Sequence, residues 1–351
     1  MADGSVNVEG LTVARTLEQA LDPAWLSRAL APVSGGAAVT RVETVEVIRT
    51  MATKVRFAVD FADGTSGAFC LKAFLDVDEQ TARGGATTVL EADFYRDLAP
   101  RLDLQVPDCV ATVIDAERTQ GVIIMRDLIV EGARFCSALE PLGPDDAAES
   151  LTQLAQLHAR HDLLQGRPWI QRRIESFARN RYVPEPVLQE LMNGPRGEGL
   201  PERERSAGVL IAGLTALSEM DARWPQTLVH GDVHAGNLYR HKGGFGLIDW
   251  QILQSGGWAL DVVYRLNAIL PVEVAEREER RLLNHYLDTA RGLGSAMPDP
   301  ETAWTQYRAS IVYGYYLWAI TRKVDPAITV TFNQRLGSAV ARLDSYKLLG
   351  V

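Results

Sequence analysis

The chain has 351 residues, of which 46% are hydrophobic and 23% charged, and its formal net charge is −9 at pH 7. That length and apolar content can bury the core of one large or two moderate domains, and the composition is neither disordered nor fibrous. The acidic balance argues against a nucleic-acid binder, whose phosphate contacts need a basic face.

In chain order, Pro23 to Leu30 reads as a short helix with proline at its start. Val39 to Val47 and Thr53 to Phe61 alternate as strands, and Asp63-Gly64 turns the chain into a third strand, Gly67 to Phe74, which carries Lys72. The three form an antiparallel meander. Asp76 to Gly85 is polar and glycine-containing, hence a loop or frayed helix. Thr87 to Leu98 is amphipathic, with Leu90, Phe94, Tyr95 and Leu98 at helical spacing. Val110 to Asp115 and Gly121 to Met125 read as a further hairpin. Beyond Leu128 the pattern turns helical: Asp145 to Ala159 with Asp145 as N-cap, then Arg172 to Asn180, Pro186 to Met192, Glu202 to Glu219, and most of the chain from Leu260. A β-rich first part and a helical remainder predict an α+β chain with segregated elements, divided as residues 1–128 and 129–351.

Cys70, Cys109 and Cys136 are widely spaced and odd in number, which fits neither a disulfide framework nor a zinc site. The opening residues lack a basic region followed by an apolar run, and no stretch is long enough for a membrane span. The expected setting is a reduced cytoplasm, with no membrane and no nucleic-acid partner.

Chemistry concentrates between Leu228 and Gln251. An apolar lead-in delivers His230-Gly231-Asp232, and Asn237 follows five residues after Asp232. Leu238 to Arg240 and Phe245 to Ile248 read as strands joined at Gly243-Gly244, the second ending on Asp249. A short hairpin there returns Asp249 toward Asn237 and Asp232. Asn237 and Asp249 supply two hard oxygens of the kind magnesium takes alongside waters and phosphates. Asp232 is a spare carboxylate able to orient an incoming hydroxyl and accept its proton. Phosphoryl transfer asks little more of a protein than positioning and charge neutralisation.

The spacing is that of the protein-kinase catalytic loop, with Gly231 in place of its arginine and Asp249-Trp250-Gln251 in place of Asp-Phe-Gly. With His230-Gly231-Asp232-x-His234-x-x-Asn237 and Ile248-Asp249-Trp250, the chain resembles the aminoglycoside phosphotransferase and choline kinase branch of the protein-kinase-like superfamily. Gln251, and Glu91 to Tyr95 upstream, look more like its ecdysteroid-kinase-like group. The resemblance runs from about Val45 to Leu266.

It implies a two-lobed α+β fold: an antiparallel N-terminal lobe with one main helix that binds nucleotide, and a mostly helical C-terminal lobe that holds the catalytic loop and the acceptor. It implies ATP or GTP as co-substrate with Mg2+, and a small hydroxylated acceptor. By the same resemblance, Lys72 contacts the α and β phosphates and Glu91 holds Lys72. Met125 to Leu128 form the hinge to the adenine. Asp232 is the base, Asn237 and Asp249 bind magnesium, His230 bonds the loop backbone, and Asp261 braces the loop from the next helix. The glycines that often cover the phosphates are missing from Ile48 to Lys54, which leaves backbone amides and the hydroxyls of Thr50 and Thr53.

Among the other polar residues, Asp127 reads as a cap or turn residue, His158 and His161 as helix-end histidines, and His234 as a support of loop geometry. Tyr313, Tyr315, Tyr316 and Trp318 read mostly as core, with a wall of the acceptor pocket as the other reading.

Rival functions exist. Asp232-Val233-His234 after a glycine resembles the opening of a metallophosphoesterase, but the later Gly-Asp and Gly-Asn-His segments are absent after Asp232. A non-catalytic nucleotide binder has no need of Asp232. A protein kinase would show an Ala-Pro-Glu segment, which this chain lacks. The acceptor stays open, because fold and loop do not encode its pocket: the ecdysteroid-kinase-like details point to a bulky or apolar alcohol, the acidic charge to a cation.

Overall fold

A computed structural model of the chain describes residues 7–8 and 10–351. They form an α+β fold in two compact units. The first takes the chain up to Arg134 together with Arg240–Ile252, and the second takes Phe135–Tyr239 with Leu253–Val351. The sequence division at residue 128 assigns 240–252 to the second part; in space that segment returns to the first unit, where the Leu247 amide donates to the Gln105 carbonyl (3.0 Å) and Gln105 Nε2 to the His241 carbonyl (3.1 Å).

The first unit is built on a five-stranded antiparallel sheet in the order β1-β2-β3-β5-β4. The strands are β1 (Val39–Arg49), β2 (Thr53–Phe61), β3 (Ser66–Ala73), β4 (Cys109–Ile114) and β5 (Gly121–Arg126). Strict alternation along β2 sends Val55, Phe57, Val59 and Phe61 into the core, where they meet Phe69, Leu71 and Ile124. Leu26, Ala29 and Leu30 cover this core from the helix Pro23–Ala29, whose Asp22 cap accepts the Trp25 amide at 2.8 Å ahead of Pro23. At the predicted Asp63-Gly64 turn, Gly64 takes φ +84.

The predicted amphipathic helix is Ala86–Asp93, continued by a π-helical turn, Phe94–Leu98. It is covered on every side: all residues from Thr88 to Tyr95 are buried. The polar positions that made it look amphipathic, Glu91 and Asp93, are satisfied by ion pairs rather than by water.

The second unit is mostly helical. Its helix Pro144–His158 is capped by Gly143, not by Asp145. Pro144, with its fixed φ and no N–H to lose, takes the first helical position, and the Asp146 carboxylate reaches back to the Gly143 amide (3.2 Å). The helix predicted from Glu202 begins only at Ala207, where the Ser206 hydroxyl accepts the Val209 amide (3.3 Å). The helix Ala259–Ile269 is buried along its whole length. Around it stand Val272–Gly292, Pro300–Ile320 and Pro326–Arg342. A two-stranded ladder, Thr227–Val229 against Gln254–Gly256, feeds the chain into the segment that starts at His230. Among the described residues no helix is long and apolar enough to cross a membrane.

Candidate active site

In the first unit, β3 carries Lys72 almost fully buried. Its Nζ lies 2.5 Å from Glu91 Oε2 and 2.7 Å from Asp249 Oδ1. Burial works against the ammonium, but the carboxylates of Asp249 and Glu91 outweigh it and hold the Lys72 pKa above the ordinary lysine value. Lys54 Nζ adds a longer contact to Asp249 Oδ2 (3.9 Å).

Asp249 sits just past the strand Gly244–Leu247 with φ +69, a left-handed backbone that non-glycine residues seldom adopt. The Trp250 ring holds this turn by stacking on Phe94 (centroids 3.7 Å apart, 10° between planes), and Phe94 lies one helical turn beyond Glu91. The two carboxylates that share Lys72 are thus tied together by ring packing as well as by charge.

The other first-unit candidates are placed as follows. Thr50 is exposed at the β1–β2 turn, with its hydroxyl donating to the Ala52 carbonyl (3.1 Å). Thr53 is buried, with its hydroxyl turned to the Leu75 carbonyl (3.5 Å). Met125 is half-buried near the end of β5, and Leu128 is buried two residues past it. Asp127 is a turn residue: its Oδ1 accepts the Ile129 amide (2.9 Å) and its Oδ2 the Arg56 guanidinium (2.9 Å).

In the second unit the loop from His230 is shaped by its own side chains and by the helix Ala259–Ile269. Asp261, fully buried, accepts the His230 amide at Oδ2 (2.8 Å) and the Gly231 amide at Oδ1 (2.9 Å). His158 Nε2 lies 3.2 Å from Asp261 Oδ2, while its Nδ1 is 2.7 Å from the Tyr286 hydroxyl. Burial pushes the Asp261 pKa up, but the bonds from His158 and Gly231 outweigh it and bring the net shift below the ordinary aspartate value. Gly231 turns with φ +85. His230 Nδ1 accepts the Asp232 amide (3.2 Å), and His234 Nδ1 the Gly236 amide (3.1 Å). Both histidines are used by the loop itself.

Asp232 is half-buried. Its Oδ1 accepts the Tyr264 hydroxyl (3.1 Å), and that hydroxyl accepts Trp318 Nε1 (2.7 Å). His234 Nε2 lies 3.6 Å from the same oxygen. Tyr264 and His234 therefore both meet Asp232 at Oδ1. The Asn237 side chain donates Nδ2 to the Asp232 carbonyl (2.8 Å), which leaves its own Oδ1 as the amide's acceptor. A neutral amide oxygen of this kind is a hard donor of the type magnesium takes, and so is a carboxylate such as that of Asp249 in the first unit.

Tyr264 is a member of this arrangement that sequence reasoning did not single out; it read His158 as a helix-end histidine and Trp318 mostly as core, and gave neither its partner here. Tyr264 carried a signal, since it stands three residues after Asp261 and so faces the same loop. Trp318 and Tyr313 stood out as aromatic residues but carried no sign of their partners, Tyr264 and the Gly231 carbonyl (2.9 Å), which are 54 and 82 residues away. Tyr264→Phe is expected to lower kcat about tenfold, as befits one hydrogen bond to a charged group, with KM for the nucleotide unchanged. Steady-state kinetics check it, and an unaltered kcat would mean that the phenol does not position Asp232.

Comparison with the curated proteins gives no match. Among solved structures, the chain is similar to an ethanolamine kinase of Plasmodium vivax, with TM-score 0.51 and 12% identity over 91% of this chain and 87% of that one. It is also similar to a macrolide 2'-phosphotransferase of Brachybacterium faecium, with TM-score 0.45 and 16% identity over 92% and 98% of the two chains. A choline kinase of Streptococcus pneumoniae gives TM-score 0.47 and 14% identity over 87% and 94%. At such identities the first likeness speaks for a shared fold alone, and the other two add no weight. The sequence profile of the phosphotransferase enzyme family matches residues 61–298, which span most of both units, and the chain belongs to that family.

Proposed function

We propose that this chain moves the γ-phosphoryl group of ATP, or of GTP, onto a hydroxyl of a small molecule, with Asp232 as the base. In the reaction the acceptor oxygen forms a bond to the γ-phosphorus and the bond from that phosphorus to the β–γ bridging oxygen breaks. Its electrons leave with the nucleoside diphosphate, and the hydroxyl proton passes to Asp232. The observation that carries this reading is the setting of Asp232: a half-buried carboxylate with one oxygen fixed by Tyr264, on a loop held through two backbone amides by Asp261.

Asn237 and Asp249 are the magnesium ligands in this reading, and the ion, when bound, neutralises charge on the phosphates. Lys72, kept charged and in place by Glu91, contacts the α and β phosphates. The segment Met125 to Leu128 meets the base of the nucleotide. Thr50 is the hydroxyl of the β1–β2 turn that faces outward, while Thr53 serves the strand. The ecdysteroid-kinase-like features, Gln251 and Glu91 to Tyr95, incline the acceptor toward a bulky or apolar alcohol. Against a metallophosphoesterase, His234 bonds its own loop through Nδ1 and meets Trp318 and Phe332 edge-on (5.0 and 5.3 Å), which supports a framing role rather than a ligand's.

Thermal-shift titrations with ATP and GTP, each with and without magnesium, test the nucleotide half. A ligand at about a hundred times its Kd stabilises by about 2.7 kcal/mol, well within reach of the method. Asp249→Ala is expected to lose the magnesium-dependent part of that shift. Magnesium dependence that survives the substitution would remove Asp249 as a ligand.

A further inference from the structure

Along β2 the core takes Val55, Phe57, Val59 and Phe61, so Lys54 and Arg56 stand on the opposite face of the sheet. The strand register sets Lys54 directly against Lys72 of β3, and Arg56 against Cys70. Directly opposed residues of an antiparallel pair share a face, so the two lysines are neighbours on it. Lys54, Lys72, Glu91 and Asp249 all belong to the first unit.

Like charges at directly opposed positions destabilise a sheet unless an anion joins them. Asp249 does so here, with Oδ1 at 2.7 Å from Lys72 Nζ and Oδ2 at 3.9 Å from Lys54 Nζ. The two lysines are held unequally. Lys72 has a second carboxylate, Glu91 at 2.5 Å, and its side chain is 3% exposed. Among the described residues the long contact to Asp249 is the one ion pair of Lys54, whose side chain is 29% exposed. Arg56, its neighbour on the same face, is fully engaged: the guanidinium bonds Glu46 (3.0 Å) and Asp127 (2.9 Å). The turn between β1 and β2 offers an anion little. It contains no glycine to bring the backbone close, and the Thr50 amide and hydroxyl both donate to the Ala52 carbonyl (3.2 and 3.1 Å). Lys54 is therefore the cation of this face that is both reachable and loosely held.

We infer that Lys54 is a second phosphate-binding cation, which leaves Asp249 for the β and γ phosphates when the nucleotide binds, while Lys72 keeps to the α and β phosphates. This rests on the phosphoryl-transfer reading, which gives Asp249 to magnesium. With that carboxylate engaged elsewhere, two opposed ammonium groups need another anion between them, and a polyphosphate supplies it. An ammonium on a flexible stem suits the task, because it meets phosphate oxygens as a point charge with rotatable donors. Side-chain charge thus provides, beside a turn without glycine, a grip that backbone amides do not. Lys54 is in this account the residue that tells a triphosphate from a monophosphate.

The test titrates the tri-, di- and monophosphates of ATP or GTP, whichever base the protein prefers, into the intact protein by calorimetry, each with magnesium. Lys54→Met keeps the length of the side chain and removes its charge. It is expected to weaken triphosphate binding at least about tenfold, the loss typical of a hydrogen bond to a charged group, and to leave the monophosphate within about twofold. The diphosphate should fall between them, and Lys54→Arg should keep most of the triphosphate affinity. Without ligand both variants should melt within a few degrees of the wild type, because a 3.9 Å contact of a partly exposed lysine contributes little. Triphosphate binding unchanged in Lys54→Met, equal losses for mono- and triphosphate, or Lys54→Arg as weak as Lys54→Met would each overturn the inference. So would a Lys54→Met protein that melts far below the wild type, since Lys54 would then be a structural residue. A wild type that binds no nucleotide would sink the transfer reading and this inference together, so the wild-type titration tells the two failures apart.

Discussion

Asp232→Ala is expected to slow phosphoryl transfer by on the order of 10² to 10⁴-fold, the range typical of a lost general base. Binding of magnesium nucleotide should be nearly unchanged. The separation follows from where the residues lie. Lys72, Glu91 and Asp249 belong to the first unit and hold one another at 2.5 and 2.7 Å without help from Asp232. Stability should fall by about 1–3 kcal/mol, because the buried Tyr264 hydroxyl keeps the Trp318 indole N–H it accepts (2.7 Å) but loses the acceptor of its own proton. Single-turnover rates beside nucleotide titrations read both quantities, and a variant with the wild-type rate would take Asp232 out of the mechanism.

Asp261→Ala is expected to be the most destabilising change near the loop, costing about 3–5 kcal/mol, because it strips one partner from a buried polar cluster. Asp261 has no exposed surface, and its loss leaves the buried amides of His230 and Gly231 and the ring of His158 without their acceptor. Activity should fall with it, since those two amides set the path of the chain into Asp232. The pH dependence has a definite sign. The native pKa of Asp261 lies below the unfolded value, so its ionised form contributes stability above the ordinary aspartate pKa of about 3.9. That contribution is lost as the pH falls through the lower native value. Urea unfolding from neutral pH downward should therefore show the gap between wild type and variant narrowing below about pH 4. A gap that stays constant across that range would mean that the Asp261 charge is not what braces the loop.

Much of the architecture could be read from local pattern. The bounds read for Val39 to Val47 and Thr53 to Phe61 lie within two residues of β1 and β2; along β2 one face meets the core and the period of two records it, whereas β1 is largely exposed and its burial does not alternate. Helix boundaries were less legible. Asp145 is a good capping residue, but Pro144 ahead of it is pre-set for the first helical position and moves the cap to Gly143. The helix Ala86–Asp93 looked one-sided because Glu91 and Asp93 are polar, yet ion pairs let both be buried.

The phosphotransferase family of this chain, its fold class and its candidate residues follow from the sequence by itself. Spacing within one short loop and the placement of a lysine in an apolar strand are local properties that a chain carries before it folds. Only the tertiary structure decided that Lys72 bonds Asp249 as well as Glu91, that Tyr264, itself bonded by Trp318, holds Asp232, and that 240–252 packs with the first unit. Each of these depends on partners that lie far apart along the chain. Hydrophobic periodicity reports which face of an element turns inward, and it carries no record of which distant side chain waits there.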